Sequence, residues 1–283
     1  MSDPRILVIG SAGTVGRHVV TQLREGGARV RSTTTKGPTA AELVRFDFSA
    51  PGTWEPTLDG VDRVFLMRPP QISDVKRTIA PFIACAARRR IEHVVFLSVM
   101  GVNPALPHWR VERALIASGL TYTFLRPSFF AQNLETAYGE DLRAHDRIRL
   151  PAGRSRTSFV DTRDVAAVAT LALRAPDAHR NRAYTLTGPE ALGWAEVARL
   201  LSDLLGRPIR YESIGLRRYR SELRAAGMPT SYVLVQLMIH AVARLGLAAT
   251  ITPELERLLG RPGRTLRQYL EDHAAVWAPA GAR

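Results

Sequence analysis

The sequence predicts an α/β protein, a doubly wound parallel sheet joined to a smaller, mostly helical C-terminal domain. Three observations carry that reading. Residues 6–9 are apolar without alternation, as in a strand buried on both faces, and lead through glycines at 10, 13 and 16 into a helix start. Strand-like and helix-like stretches then alternate every 20–30 residues or so as far as Pro127, the rhythm of a parallel sheet with crossover helices. Beyond Gly188 the pattern changes to helical stretches at 194–205, 216–226, 230–245 and 266–277, with too few strands for a second sheet.

The opening strand, turn and helix form the most informative element. Gly10 suits a tight turn, Gly13 a close approach of backbone to phosphate, and Gly16 the packing of helix on strand. Each glycine weakens a turn or helix start by about 0.5–1 kcal/mol, which disfavours a glycine-rich turn with no ligand. Gly10, Ala12, Gly13, Thr14, Val15 and Gly16 are therefore the candidate phosphate-binding turn, where free N–H groups and the helix dipole attract an anion.

The first helix covers 17–26, with Val19, Val20 and Leu23 inward, and ends at Gly26-Gly27. A second strand, 28–34, runs into Thr33, Thr34, Thr35 and Lys36, with no carboxylate before Glu42. An acidic residue there would bind a ribose 2′-hydroxyl, whereas small polar and basic residues accept a 2′-phosphate, so NADP is favoured over NAD. The third strand, 44–48, brings Asp47 and Phe48 to the place where such folds line the adenine. The fourth, 63–67, ends at Met67 before Arg68-Pro69-Pro70, which cannot continue a ladder and is expected over the cofactor at the carboxyl edge. Helix 73–89, a fifth strand 92–98 ending in Ser98, helix 108–118 and a sixth strand 121–126 closed by Pro127 complete the run. Residues 128–156 read as a long crossover, and 157–188 return to the sheet. The Rossmann-type domain is thus 1–127 with 157–188, and 128–156 with 189–283 form the smaller substrate-side domain. The end, 278–283, reads as unstructured.

Composition bounds the function. No run of about 18 apolar residues and no basic-then-apolar N-terminus occurs, so neither a membrane span nor a secretory signal is indicated, and a cytoplasmic location is expected. Cys85 is the single cysteine and reads as a small core residue. The net charge of +13 comes almost wholly from arginines spread along the chain, which disfavours nucleic acid as the partner and leaves a small-molecule substrate. Metal-ligand spacings are absent. The leucine-rich helices at 197–205 and 233–247 read as core or as a face for a homodimer.

Several stretches together resemble the NmrA-like family of atypical short-chain dehydrogenase/reductases. They are 6–20, 60–66, 94–101, 119–134 with Leu125-Arg126-Pro127-Ser128-Phe129-Phe130-Ala131-Gln132-Asn133-Leu134, 158–168 with Phe159-Val160-Asp161-Thr162-Arg163-Asp164-Val165-Ala166, and 184–206 with Leu186-Thr187-Gly188-Pro189-Glu190. The resemblance implies a Rossmann domain binding NADP or, less often, NAD, and a C-terminal domain bounding a substrate cleft. It places Met67, Arg68, Phe129, Phe130 and Asn133 at the substrate pocket, and Met67, Arg68, Ser98 and Pro127 are also expected among the cofactor contacts. Asp161 and Asp164, flanking Arg163, read as a helix cap. Where many relatives end the second strand in arginine, this chain has Thr35 and Lys36.

Most short-chain dehydrogenases pair a tyrosine acid with a lysine four residues later. Lys36 and Lys76 are the only lysines here, and Ser32 and Ile72 stand four residues before them, so that pair does not exist. The corresponding helix offers His108 and Glu112 at i, i+4, following Ser98. One reading makes Ser98, His108 or water the proton donor, with Glu112 orienting the imidazole, in a reductase acting on a conjugated carbonyl, quinone or imine. Another makes His108 and Glu112 a helix-start pair without chemistry. The missing pair also leaves open a nucleotide-binding sensor without turnover, or a non-redox isomerase or cyclase.

Overall fold

The structure, a computed structural model, describes residues 3–37 and 42–277, so the expected unstructured end at 278–283 lies outside the described residues. In chain order the first elements are β1 (Arg5–Val8), α1 (Gly16–Glu25), β2 (Arg29–Thr34), β3 (Leu43–Arg45), α2 (Trp54–Leu58), β4 (Arg63–Met67), α3 (Ile79–Arg88), β5 (His93–Leu97), α4 (Pro107–Ala117) and β6 (Tyr122–Pro127). There follow β7 (Phe129–Phe130), α5 (Asn133–Thr136), α6 (Gly139–His145), β8 (Arg147–Leu150), β9 (Arg156–Val160), α7 (Thr162–Arg174), α8 (Pro176–His179) and β10 (Arg182–Leu186). The last are β11 (Ala191–Gly193), α9 (Trp194–Leu205), β12 (Arg210–Ser213), α10 (Leu216–Ala225), α11 (Thr230–Arg244), α12 (Glu254–Leu259) and α13 (Leu266–Asp272).

The chain forms two compact units, the first of residues 1–127, 162–186 and 257–260, the second of the remainder. In the first, seven parallel strands lie in the order β10-β6-β5-β4-β1-β2-β3. The chain runs outward from β1 to β3, then crosses back to β4 on the other side of β1. The carboxyl ends of β1 and β4 therefore mark the topological switch point, the usual place for a ligand in an open α/β sheet. Ile6, Leu7, Val8, Phe65 and Val95 are all at most 1% exposed, which explains why these strands read as unbroken apolar runs. On α1, Val19 and Leu23 are fully buried, and Gln22 Nε2 donates to the Arg163 carbonyl of α7 at 3.1 Å.

Two sheet elements differ from expectation. The third strand ends at Arg45, because Phe46 and Phe48 turn into a cluster of edge-on rings with Phe82, and Trp54 Nε1 donates to the Asp47 carbonyl at 2.9 Å. Residues 156–160 do not rejoin the large sheet. β9 instead pairs in parallel with β7 and antiparallel with β11, and a Cβ on Gly188 would lie 1.8 Å from the Phe159 carbonyl oxygen, so only glycine permits that approach. The segment that returns is α7 to β10, which pairs with β6 from Arg182 opposite Thr123 to Leu186 opposite Pro127.

The second unit has an aromatic core of Phe159, Trp194, Tyr219, Tyr269 and Trp277, supported by Leu134, Ile148 and Leu201. Besides its helices it holds the β11-β9-β7 sheet and a two-stranded parallel ladder, β12-β8. Helix α11 buries Val233 and Ala243 on one face together with two polar residues. Gln236 and His240 are buried, whereas Leu234, Val235, Met238 and Val242 are exposed. Among the described residues, no single helix is long and apolar enough to cross a membrane.

Candidate functional site

The switch point is built on backbone. Gly10 takes φ +74°, and a Cβ there would lie 2.7 Å from Met67 Cγ. The Gly10 carbonyl accepts from Gly13 N at 2.9 Å, and a Cβ on Gly16 would come within 2.1 Å of that oxygen. Glycine is thus required at both ends of the turn by contacts with other parts of the first unit. The turn is also fixed laterally to the end of β2. Gly10 N donates to Thr33 Oγ1 at 3.2 Å, and Ser11 Oγ donates to the Thr33 carbonyl at 2.9 Å. Helix α1 begins after Val15 with no side-chain cap and no acidic residue in its first turn. A narrow backbone cradle, an uncapped helix start and no competing carboxylate fit the phosphates of a dinucleotide. Of the other turn residues, Ala12 is exposed, Thr14 half-buried and Val15 buried.

At the end of β2, Thr34 is half-buried while Thr35 and Lys36 are exposed, and Lys36 N donates to Thr34 Oγ1 at 3.1 Å. No carboxylate among the described residues pairs with Lys36. The Asp47 carboxylate accepts from Ser49 N at 2.7 Å, and the Phe48 ring is core, only 3% exposed. The expected adenine contact by Phe48 is therefore not one its ring can make, because the ring is packed against Phe46 and Phe82.

Beside β4, the Arg68 guanidinium is wrapped by its own loop, Nη1 donating to the carbonyls of Pro69 at 2.9 Å, Pro70 at 3.1 Å and Ile72 at 2.6 Å. Burial lowers the Arg68 pKa. His108, at the start of α4, lies with its ring tilted over Phe96 at 6.3 Å, and burial together with the charge of Arg68 holds its pKa down at about 4. Its imidazole is neutral at pH 7.

At the ends of β5 and β6 lies a buried triad. The Glu112 carboxylate, 4% exposed, accepts from Arg126 Nη2 at 2.7 Å and Nε at 3.0 Å, and from Ser98 Oγ at 2.7 Å. This overturns the expected pairing of Glu112 with His108. A guanidinium gives a carboxylate two charge-assisted bonds in one plane, which a neutral imidazole cannot match. It also changes the reading of Ser98, whose single proton is committed to Glu112 and whose oxygen is left as an acceptor. Pro127 contributes its carbonyl, which accepts from Met100 N at 2.9 Å.

In the second unit, Phe129 belongs to an aromatic cluster with Phe159, Trp194 and Tyr138, at ring distances of 5.5, 5.9 and 6.4 Å. Phe129 itself is half-buried, packed on this core with part of its surface open. Phe130 and Asn133 are half-buried. Asp161 accepts from Gln132 Nε2 at 3.1 Å, both residues lying in the second unit, and Asp164 is fully buried in the first turn of α7.

Ser11 and Arg126 were not among the expected residues, and Thr33 was read only as part of the polar end of the second strand. Ser11 could have been found as one of two hydroxyls inside the glycine turn, with Thr14. Arg126, fourteen positions from Glu112, has no local spacing signal. Among the described residues, no group of three or more His, Cys, Asp or Glu side chains could hold a metal ion.

Comparison with known proteins places this geometry. An NAD(P)H azoreductase of Xenophilus azovorans is 34% identical over 97% of this chain and 100% of its own. A (4-alkanoyl-5-oxo-2,5-dihydrofuran-3-yl)methyl phosphate reductase of Streptomyces griseus subsp. griseus is 34% identical over 97% of this chain and 99% of its own. Among solved structures, an NADPH-dependent quinone oxidoreductase of Escherichia coli, complexed with NADPH, shares the fold with a TM-score of 0.84 at 19% identity, over 95% of this chain and 99% of that one. The sequence profile of the NmrA-like family matches residues 2–257, and the chain belongs to that family.

Proposed function

We propose that this protein is an NAD(P)H-dependent oxidoreductase that reduces a small conjugated acceptor, a quinone, enone, imine or azo compound, with NADPH preferred. The observation that carries the proposal is the bare backbone turn from Gly10 to Gly16 at the uncapped start of α1, where a side chain would strike Met67 at Gly10 and the Gly10 carbonyl at Gly16. The azoreductase and phosphate reductase names of the two 34% identical relatives support the reaction class. The first unit holds the nucleotide, with the turn from Gly10 to Gly16 at the phosphates and Thr34, Thr35 and Lys36 at a 2′-phosphate. Bound nicotinamide supplies a hydride from its C4.

The protein's own groups define the rest. Ser98 presents an oxygen acceptor, because Glu112 holds its proton. Arg126 fixes the Glu112 carboxylate with two bonds, and the pair acts on the site by positioning Ser98. His108, held neutral at pH 7 by burial and by the charge of Arg68, offers a neutral imidazole N–H in place of an imidazolium acid. Acceptors that delocalise the incoming charge suit a site lacking a strong acid. Phe130 and Asn133 stand as acceptor contacts on the family resemblance alone.

The test is fluorescence titration with NADPH and NADH, then nucleotide oxidation against quinones, enones, imines and azo compounds. Saturable NADPH binding with oxidation by at least one class is expected. Binding without oxidation anywhere in the panel would move the protein to the sensor reading, and absence of binding would remove both.

A further inference from the structure

Arg68 differs from four half-buried arginines that each hold a carboxylate. Arg63 holds Glu92 at 3.2 Å, Arg126 holds Glu112 at 2.7 Å, Arg147 holds Asp141 at 3.1 Å and Arg149 holds Glu222 at 2.6 Å. Arg31 resembles Arg68 in being held by backbone carbonyls, but Asp59 and Glu42 lie near enough to stabilise its charge. No carboxylate among the described residues pairs with Arg68, and burial alone acts on its pKa.

Its geometry shows which edge is free. All three bonds to carbonyls leave from Nη1, and the Pro69-Pro70 sequence makes the loop that supplies them stiff. Nε is buried and has no partner. The Nε and Nη2 edge of a guanidinium is the one that takes a carboxylate, sulfonate or phosphate with two parallel bonds. A buried N–H donor left unpaired is costly, and a half-buried cation without a counterion more so, so both point to a ligand that completes them. Arg68 follows Met67, whose side chain lies against Gly10 at the switch point.

We propose that Arg68 is a specificity residue that binds an anionic oxygen group carried by the acceptor, so that the preferred substrates are conjugated molecules bearing a sulfonate, carboxylate or phosphate. The inference rests on the reductase reading for its substrate class, but the anion site itself does not. The free edge of Arg68 binds the anion and sets its orientation, and the rest of the acceptor remains apolar and conjugated.

The experiment compares a neutral azobenzene with its sulfonated counterpart in the wild type, Arg68→Met and Arg68→Lys. The expected result is a KM increase in Arg68→Met at least tenfold larger for the sulfonated compound than for the neutral one, with Arg68→Lys between. Unfolding curves accompany both variants, and Arg68→Lys carries the test should Arg68→Met not fold. Equal effects on the two compounds would overturn the proposal. So would a matching loss of NADPH affinity, which would assign the free edge to a cofactor phosphate. A second arm needs no turnover: calorimetric binding of benzenesulfonate to the NADP-loaded protein should weaken at least tenfold in Arg68→Met. Sulfonate binding that depends on Arg68 in a protein that reduces no acceptor would sink the reductase reading and leave the anion site standing. Failure of the wild type to bind benzenesulfonate at millimolar concentration would sink the site.

Discussion

The two edges of the seven-stranded sheet hold comparable amounts of buried polar chemistry, and they differ in whether it closes on itself. At the amino edge, Asp62 Oδ2 accepts from Arg5 N at 2.7 Å, and Arg63 spans Glu92 and the Leu173 carbonyl. His93, fully buried, sets Nε2 2.9 Å from Thr123 Oγ1, whose own proton goes to the His179 carbonyl at 2.8 Å. At the carboxyl edge α1 starts with no side-chain cap, Ser98 keeps an unshared acceptor, and Arg68 Nε has no partner. A buried histidine or ion pair is therefore a poor marker of a site by itself. The better marker is a polar group whose bonding the fold leaves incomplete, in a place where the topology brings a ligand.

The largest effect should come from the one closed cluster on the open edge. Glu112→Ala takes the carboxylate from half-buried Arg126 and the acceptor from buried Ser98, and is expected to cost about 3 kcal/mol of stability in urea unfolding. The double change Glu112→Leu with Arg126→Met should recover most of it, because neither charge is then left behind. A loss below about 1 kcal/mol in the single variant would mean that water replaces Glu112 and that this cluster is open as well.

Gly16→Ala comes next and probes the open edge directly. Its Cβ would sit 2.1 Å from the Gly10 carbonyl oxygen, which is backbone and cannot rotate away. The turn must widen, and NADPH affinity is expected to fall about a hundredfold, or about 2.7 kcal/mol. A variant that binds NADPH within threefold of wild type would show that the cradle does not hold the phosphates.

The amino edge should answer to acid. His93 is held near pKa 4 by burial first, then by Arg63, His179 and Arg180, with Asp177 opposing them. Burial likewise holds His108 and His240 near 4. Between the ordinary value of 6.5 and about 4 the unfolded chain binds protons that the native protein does not. Stability thus falls as pH drops through that window and is level above it. Each histidine can contribute about 3 kcal/mol to that fall, as an upper bound. His93→Asn should flatten the slope by one such share while costing about 1–2 kcal/mol at pH 7 through its lost hydrogen bonds. An unchanged slope would shift the acid response to His108 and His240.

The same contrast explains what the sequence revealed. The glycine turn was legible because its spacing, its strand and its helix are all local, and the large sheet was legible because strands buried on both faces leave unbroken apolar runs. Ser98 and Glu112 were found as candidates, but their connection was not. The i, i+4 rule joins His108 to Glu112 only when nothing stronger arrives, and Arg126 arrives from the next strand. In the second unit the alternation Arg147-Ile148-Arg149-Leu150 carried a strand signal, with Ile148 and Leu150 buried, yet its partner lies at 210–213. On α11 the apolar pattern misleads, because the buried face at 233, 236, 240 and 243 includes the polar Gln236 and His240, while Leu234, Val235, Met238 and Val242 face out. Tyr138 and Tyr219 supply the inward partners there, and no sequence window contains both.

The smallest effect expected is the sharpest probe of which anion the open edge receives. Lys36 is exposed, and no carboxylate among the described residues pairs with it, so it contributes little to the fold. Lys36→Glu should leave unfolding within about 0.5 kcal/mol of wild type. Its effect is on the nucleotide. If Lys36 faces a 2′-phosphate, affinity for NADPH falls about tenfold, or about 1.4 kcal/mol, while affinity for NADH holds or rises slightly. The difference should shrink in high salt, because an exposed pair is screened within about 10 Å at 0.1 M ionic strength. Equal losses for the two nucleotides would place Lys36 near the shared pyrophosphate, and no loss for either would leave Thr34 and Thr35 to set the preference. Thr34 and Thr35 can donate hydrogen bonds to a phosphate but carry no charge, so in that case the preference for NADPH should be weak and nearly independent of salt.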